Sequence, residues 1–190
     1  MFKDKILAGA VIGLAADAVK LIVNYAAFQL GYTQVVFWQL IAALLLPRED
    51  IFKPLGILIG AVADITIAMF LGVVFIYYLY AVGRDHLWFK AVGFGMLVWV
   101  SLFGVLLGQL VSNKVPPDPL GILTTIVAHF SFGLSLAVFT KLLAGNMAPM
   151  VEDLTKNKTE SHLKSFRILS AIPLKKLLKN QDHVKKLKKI

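Results

Sequence analysis

The sequence predicts an all-α polytopic membrane protein. It should contain a bundle of four transmembrane helices, a short re-entrant or interfacial helix, and a basic amphipathic C-terminal helix. Three observations carry this. Of 190 residues, 58% are hydrophobic and only 16% charged, against about 25% charged in soluble domains, and the mean hydropathy is +0.75. From Leu55 to Val82 the chain carries one formal charge, Asp64, in a run that is apolar on every face; a bilayer core requires about 20 such residues and a soluble core helix does not. The net charge of +9 is concentrated at one end. From Lys141 onward there are 12 Lys/Arg against 4 Asp/Glu, while the first 140 residues hold 8 against 7. A basic tail beside a membrane accounts for that distribution without a nucleic-acid partner.

The first expected span covers residues 6–30, with Asp17, Lys20, Asn24 and Gln29 interrupting it. At helical spacing Gly9, Gly13, Asp17, Lys20 and Asn24 fall on one stripe. That stripe should face protein, because each charge turned to lipid would cost about 2.5–3.5 kcal/mol on insertion scales. The N-terminal MFKDK suits a signal peptide superficially, but the polar interruptions and the spans that follow point to a retained first helix. Residues 33–46, closed by Pro47, make about 21 Å of helix, short of the roughly 30 Å hydrocarbon layer. A re-entrant or interface-lying helix is expected there, with Phe37 and Trp38 anchored near the headgroups; the alternative is a short fifth span. Arg48, Glu49, Asp50 and Lys53 return the chain to water.

The second span is 55–82, the third 87–110 with Trp88 and Lys90 where it begins, and the fourth 121–140. Between the last two, residues 111–119 form a polar connection in which Pro116 and Pro117 forbid helix. Residues 1–144 are thus a membrane domain. Residues 145–190 are a linker followed by an amphipathic segment from Glu160, with Pro173 between its halves. Contact with anionic lipid is the expected role of that tail, at roughly 1 kcal/mol per lysine; a partner-protein helix is the alternative. With four spans, Lys3, Lys5, Arg84, Lys90 and the tail share one side, against Arg48, Lys53 and Lys114 on the other. The excess of basic residues puts both termini in the cytoplasm.

The first two spans share a pattern: Gly9, Ile12, Gly13, Ala16 and Asp17 repeat as Gly56, Ile59, Gly60, Ala63 and Asp64 at an offset of 47. Either an internal duplication or a common packing need explains it. Glycines four apart let helix backbones approach closely. Gly104 and Gly108 on the third span and Gly133 on the fourth are read in the same way.

Depth brings the polar groups together. Counted along each helix from the outer side, Asp64 lies about 14 Å in, His129 about 12 Å, Lys20 about 15 Å and Asp17 about 20 Å. Asp17 and Lys20, at i and i+3, can pair within one helix. Asp64 has no basic neighbour on its own helix, so it needs Lys20 or a protonated His129, or else stays neutral. Asp17, Lys20, Asn24, Asp64, Gln109 and His129 therefore form a candidate polar core. It would take up a proton or bind an ion or small polar ligand, or else serve as interhelical glue worth about 0.6 kcal/mol per hydrogen bond.

Cysteine is absent, which removes disulfide, thiol and cysteine-metal chemistry. No HExxH, P-loop or GxSxG motif occurs, and His86 and His129 are not spaced for bis-histidine haem ligation. No metal or cofactor is expected, and a non-catalytic role is preferred. Intramembrane catalysis would need Asp17 and Asp64 close enough to share a proton. The stretch from Ala15 to Asn24, AADAVKLIVN, followed by Gly31 to Trp38, GYTQVVFW, and three further spans resembles small four-span membrane proteins of Gram-positive bacteria with no established function. The match covers about residues 6–140. It implies a four-helix protein of the bacterial cytoplasmic membrane and no particular activity. The function expected from the residues is proton- or small-solute-coupled transport or sensing, in a homo-oligomer. The alternative is a membrane scaffold that recruits a partner through the basic tail.

Overall fold

The computed structural model describes residues 4–107, 118–143 and 156–164, which are helical apart from their turns and caps. The chain divides into two compact units, Met1–Met147 and Ala148–Ile190. In the first, α1 spans Lys5–Gln29, α2 Phe37–Leu45, α3 Pro54–Val82, α4 Leu87–Trp99 and α5 Pro119–Leu143. From Val100 to Leu107 α4 continues as a π-helix. Four helices are long and apolar enough to cross a membrane: α1, α3, α5, and α4 taken to Gly104. In the second unit the described part is one helix, α6, at residues 156–164. It begins four residues before Glu160, inside the stretch expected to be a linker. The connection at 108–117, with Gly108, Gln109 and Lys114, and the tail from 165 onward lie outside the described residues.

Several helix ends find partners for the backbone groups that helical bonding leaves over. Asp4 caps α1, its Oδ1 accepting from the amides of Ile6 at 2.7 Å and Leu7 at 3.3 Å. Pro54 opens α3, where its missing N–H is no loss. At the far end of α3 the Lys90 ammonium donates to the carbonyls of Val82 and Gly83 at 3.1 and 3.0 Å. Asp118 Oδ1 accepts from the Gly121 amide at the start of α5.

Helix α1 is the centre of the bundle. It packs along both α3 and α5, while α4 packs on α5 and α2 on α3. Large apolar side chains cover the outside, including Ile22, Leu55, Phe70, Phe89 and Leu97, each more than 60% exposed. An apolar exterior on four long helices matches hydrocarbon, not water. Helix α2 is shorter than expected. Its nine residues rise about 13 Å, so it does not cross, and its Phe37, Leu40, Ile41, Ala42 and Ala43 are buried in the bundle.

Small residues set these contacts. On α3, Gly56, Gly60, Asp64, Ala68 and Gly72 form one buried row at i+4 spacing. A Cβ on Gly13 would sit 2.2 Å from the Ala68 carbonyl oxygen, and one on Gly72 would sit 2.2 Å from that of Gly9. The seam between α1 and α3 is therefore backbone against backbone. Gly56 and Gly60 serve a different neighbour: their missing side chains admit the carbonyls of Asp50 and Trp38, where the α2 segment crosses α3. Gly133 packs on Ala91 and Val92 of α4, and its counterpart there is Gly95, not Gly104. Among the described residues a Cβ on Gly104 would meet only the Val100 side chain at 3.9 Å, so no described neighbouring helix comes close to it.

Gly13→Ala and Gly72→Ala should each destabilise the bundle by about 1–3 kcal/mol, the usual cost of overpacking. Gly104→Ala should change stability by no more than about 0.5 kcal/mol. Thermal unfolding of the detergent-solubilised protein, followed by circular dichroism, checks the contrast.

Candidate functional site

Two apolar clusters fill the bundle, and a polar layer lies between them. One gathers Ile12 and Ala16 of α1, Phe75, Ile76 and Leu79 of α3, and Phe132 and Leu136 of α5. The other gathers Phe37 and Leu40 of α2, Ile51 and Ala128, with Leu21 packed against it. In sequence Asp17 and Lys20 fall between Ala16 and Leu21, and His129 falls between Ala128 and Phe132. Helices α1, α3 and α5 thus bring Asp17, Lys20, Asp64 and His129 to one level, insulated on both sides.

The Lys20 ammonium bridges two carboxylates. Its Nζ lies 2.6 Å from Asp17 Oδ1 and 2.9 Å from Asp64 Oδ1, and all three side chains are buried. The i, i+3 spacing on α1 delivers the first contact, and the close seam of α1 and α3 delivers the second. The ring of Phe37 covers the cation, with its centroid 4.7 Å from Nζ. Such a contact is worth about 2 kcal/mol or more when desolvated. Among the described residues Asp64 Oδ2 and both Asp17 oxygens have no hydrogen bond, Asp17 Oδ1 meeting the ammonium as an ion pair. The two carboxylates are held on either side of an ammonium, not hydrogen-bonded to one another.

Asn24, one turn beyond Lys20, uses its side-chain oxygen to accept from the Phe37 amide at 2.9 Å. This fastens the N-terminus of α2 to α1 and directs Phe37 inward. The expected headgroup role of Phe37 is therefore corrected: the residue is 3% exposed, while Trp38 is half-buried against Tyr25 at 6.0 Å. The Asn24 Nδ2 has no hydrogen-bond partner.

His129 shares the layer without bonding to the triad. Its Nδ1 lies 2.9 Å from the Thr125 carbonyl, and its ring meets Phe37 and Phe103 edge-on at 5.3 and 5.6 Å. Thr125 also accepts, at its Oγ1, the indole N–H of Trp99 at 2.9 Å, and Trp99 stacks on Phe103. The π-helical stretch of α4 thereby rests on the histidine. Lys20, Asp64 and His129 together line a cavity of about 20 Å³, walled otherwise by apolar residues such as Ile41, Leu71, Val98 and Phe132.

Of the residues expected in the core, Asp17, Lys20 and Asp64 touch. Asn24 supports them through Phe37, His129 faces them across the cavity, and Gln109 lies outside the described residues. Phe37, Thr125, Trp99 and Phe103 belong to the site but were not anticipated. Thr125 was legible, standing one helical turn before His129, where its carbonyl meets the ring. No protein-family model, curated protein or solved structure matches the chain. Among the described residues no three His, Cys, Asp or Glu side chains gather as a metal-ligand set.

Lys20→Met removes the one cation between two buried carboxylates and should destabilise the protein by about 3–5 kcal/mol, as breaking a buried pair does. Asp64→Asn leaves the Asp17–Lys20 pair and no net charge, so its cost should stay under about 1 kcal/mol. Unfolding in detergent measures both. Equal losses in the two variants would contradict the bridge.

Proposed function

We propose that the protein is a proton-coupled transport or sensing protein whose working site is the Asp17–Lys20–Asp64 layer with His129. The observation that carries this is the imbalance of charge: two buried carboxylates share one ammonium, and each keeps an unbonded oxygen. Ionisable groups inside a membrane are costly, and they mark proton or ion sites when they are not simply paired. Plain interhelical glue needs one carboxylate and one lysine, which α1 already supplies by itself. The second carboxylate, delivered by another helix to the same ammonium, makes the contact between α1 and α3 sensitive to a single charge. The apolar clusters on either side suit a site that exchanges with water only when the helices move.

The proposed setting is a bacterial cytoplasmic membrane with both termini inside. Support comes from the ends of the bundle. Lys5 lies over the Tyr80 ring, Lys141 over the Trp88 ring, and Arg84 reaches the Thr140 carbonyl. These contacts collect Lys5, Arg84, Lys90 and Lys141 at one end, with aromatic rings at the interfacial level. The opposite end, where Thr124 reaches the Tyr32 carbonyl, carries Arg48 and Lys53 beside Glu49, Asp50 and Asp118. Assembly into a homo-oligomer and contact of the basic tail with anionic lipid complete the proposal. A pathway across the membrane would then run at contacts between copies or open transiently along α3 and α4. Those two helices meet through the rings of Phe75, Tyr78 and Phe94 and lack the extended backbone seam seen elsewhere.

The test is the full-length protein in vesicles given a step in external pH. Trapped pH dye reads transport, and tryptophan fluorescence reads a conformational response. Wild-type protein should respond by one readout or both, and Asp64→Asn should abolish the response while inserting and folding normally. If the wild-type protein is silent, or if Asp64→Asn and His129→Ala both respond like it, the reading fails. A function that then disappears on removal of residues 160–190 would favour the scaffold instead.

A further inference from the structure

The three bridged charges do not cancel. With Lys20 as ammonium and both carboxylates ionised, the layer carries one net negative charge, which hydrocarbon opposes. The titratable or charged groups facing Asp64 are Asp17 and Lys20 from α1 and His129 from α5. Helix α2 faces it with Phe37 and Ile41, and α4 with Val98 and Leu102. A metal cation there would stand beside the Lys20 ammonium with too few oxygens to replace its water shell. The charge that completes the layer is therefore a proton, and of the groups that could carry it Asp64 and His129 line one cavity.

Geometry assigns the atoms. A carbonyl oxygen has no proton, so the 2.9 Å contact with Thr125 makes His129 Nδ1 the donor and leaves Nε2 as the exchanging nitrogen. Asp64 Oδ2 is buried without a hydrogen bond among the described residues, and the hydrogen bond that His129 makes there is the one at Nδ1. Both side chains line the same cavity of about 20 Å³. A polar cavity of at least 10–15 Å³ holds a water, given two to four polar partners, and the ammonium, the carboxylate and the imidazole supply three.

We propose that this cavity holds one water linking Asp64 Oδ2 to His129 Nε2, and that the two side chains share one dissociable proton per molecule. This rests on the proton-coupled reading and supplies its stoichiometry and its carrier. In the transfer, the Nε2–H bond of the imidazolium breaks and its proton joins the water oxygen. One of the water's own O–H bonds breaks as that proton forms an O–H bond on Asp64. His129 ends neutral, Asp64 ends as the carboxylic acid, and the water is regenerated. The four groups sum to zero charge before and after, so the transfer exposes no net charge to lipid. Trp99, bonded to Thr125 and stacked on Phe103 against the His129 ring, is placed to sense which side holds the proton.

The experiment uses full-length protein in phosphatidylcholine vesicles, with His86→Asn, His162→Gln and His183→Gln leaving His129 as the one histidine. Nitrogen-15 NMR follows the imidazole across pH, and infrared spectroscopy follows the carbonyl stretch of a protonated carboxyl. Adding Asp64→Asn should abolish that stretch and move the His129 midpoint by about one pH unit or more, as for coupled sites. A carboxyl band that survives Asp64→Asn, or an unchanged His129 midpoint, overturns the proposal. If Asp64→Asn fails to insert, the protein with Asp64 intact decides. Carboxyl and imidazole signals that titrate over a common range and together account for one proton support sharing. Separate midpoints, or an imidazole that never titrates, overturn it. An uncoupled His129 in vesicles that still lose their pH response with Asp64→Asn sinks this inference alone, whereas vesicles without any pH response sink the parent reading.

Discussion

The contact on which the bundle depends is the Lys20 ammonium held between Asp17 and Asp64. In water such a pair is worth little, because solvent competes for every charge. In a bilayer core no solvent is available, so these side chains must meet or be neutralised, and the helices carrying them must be where that can happen. Asp17 comes from the same helix as Lys20 and would be satisfied in any arrangement. Asp64 comes from α3 and is satisfied only if α1 and α3 cross with glycine against glycine. The electrostatic need and the packing device sit on the same stripe of α1, and each requires the other.

That coupling accounts for the rest of the site. Once α1 is fixed against α3, Asn24 lies one turn above Lys20 and takes the free amide at the start of α2. Helix α2 is then drawn into the bundle with Phe37 over the ammonium, and His129 is met edge-on by the same ring. The two apolar clusters above and below leave the polar layer a small chamber instead of a channel. A chamber of this size suits a proton and a water better than a solute, and a change of charge within it would act directly on the α1–α3 seam.

Much of this was legible in the residues. A run with one charge in 28 positions can only be a span, and the Gly-x-x-x-Gly stripes ending in aspartate marked the buried faces of α1 and α3. Counting depth from the helix ends brought Asp17, Lys20, Asp64 and His129 to one level. What counting cannot supply is which stripe meets which. Gly56 and Gly60 look like the natural partners of Gly9 and Gly13, because the two motifs match. The α1 glycines instead meet Gly72, about three turns beyond Gly60 on the same row, and the α2 segment occupies Gly56 and Gly60. The fate of Phe37 was hidden for a related reason: an aromatic residue at the start of a short helix reads as an interface anchor unless the hydrogen bond that its amide donates to Asn24 is known. Gly104 lies where α4 changes to π-helix, which rotates the face that regular spacing would assign.

Inside the membrane one lysine serves both carboxylates. Solid-state NMR of the full-length protein in lipid, labelled at Lys20 Nζ and at the aspartate carboxyl carbons, measures it directly. Dipolar couplings of direct-contact strength are expected from Nζ to both Asp17 and Asp64, the second vanishing in Asp64→Asn. A Lys20 nitrogen coupled to Asp17 alone in the unmodified protein, with Asp64 remote from any cation, would contradict it.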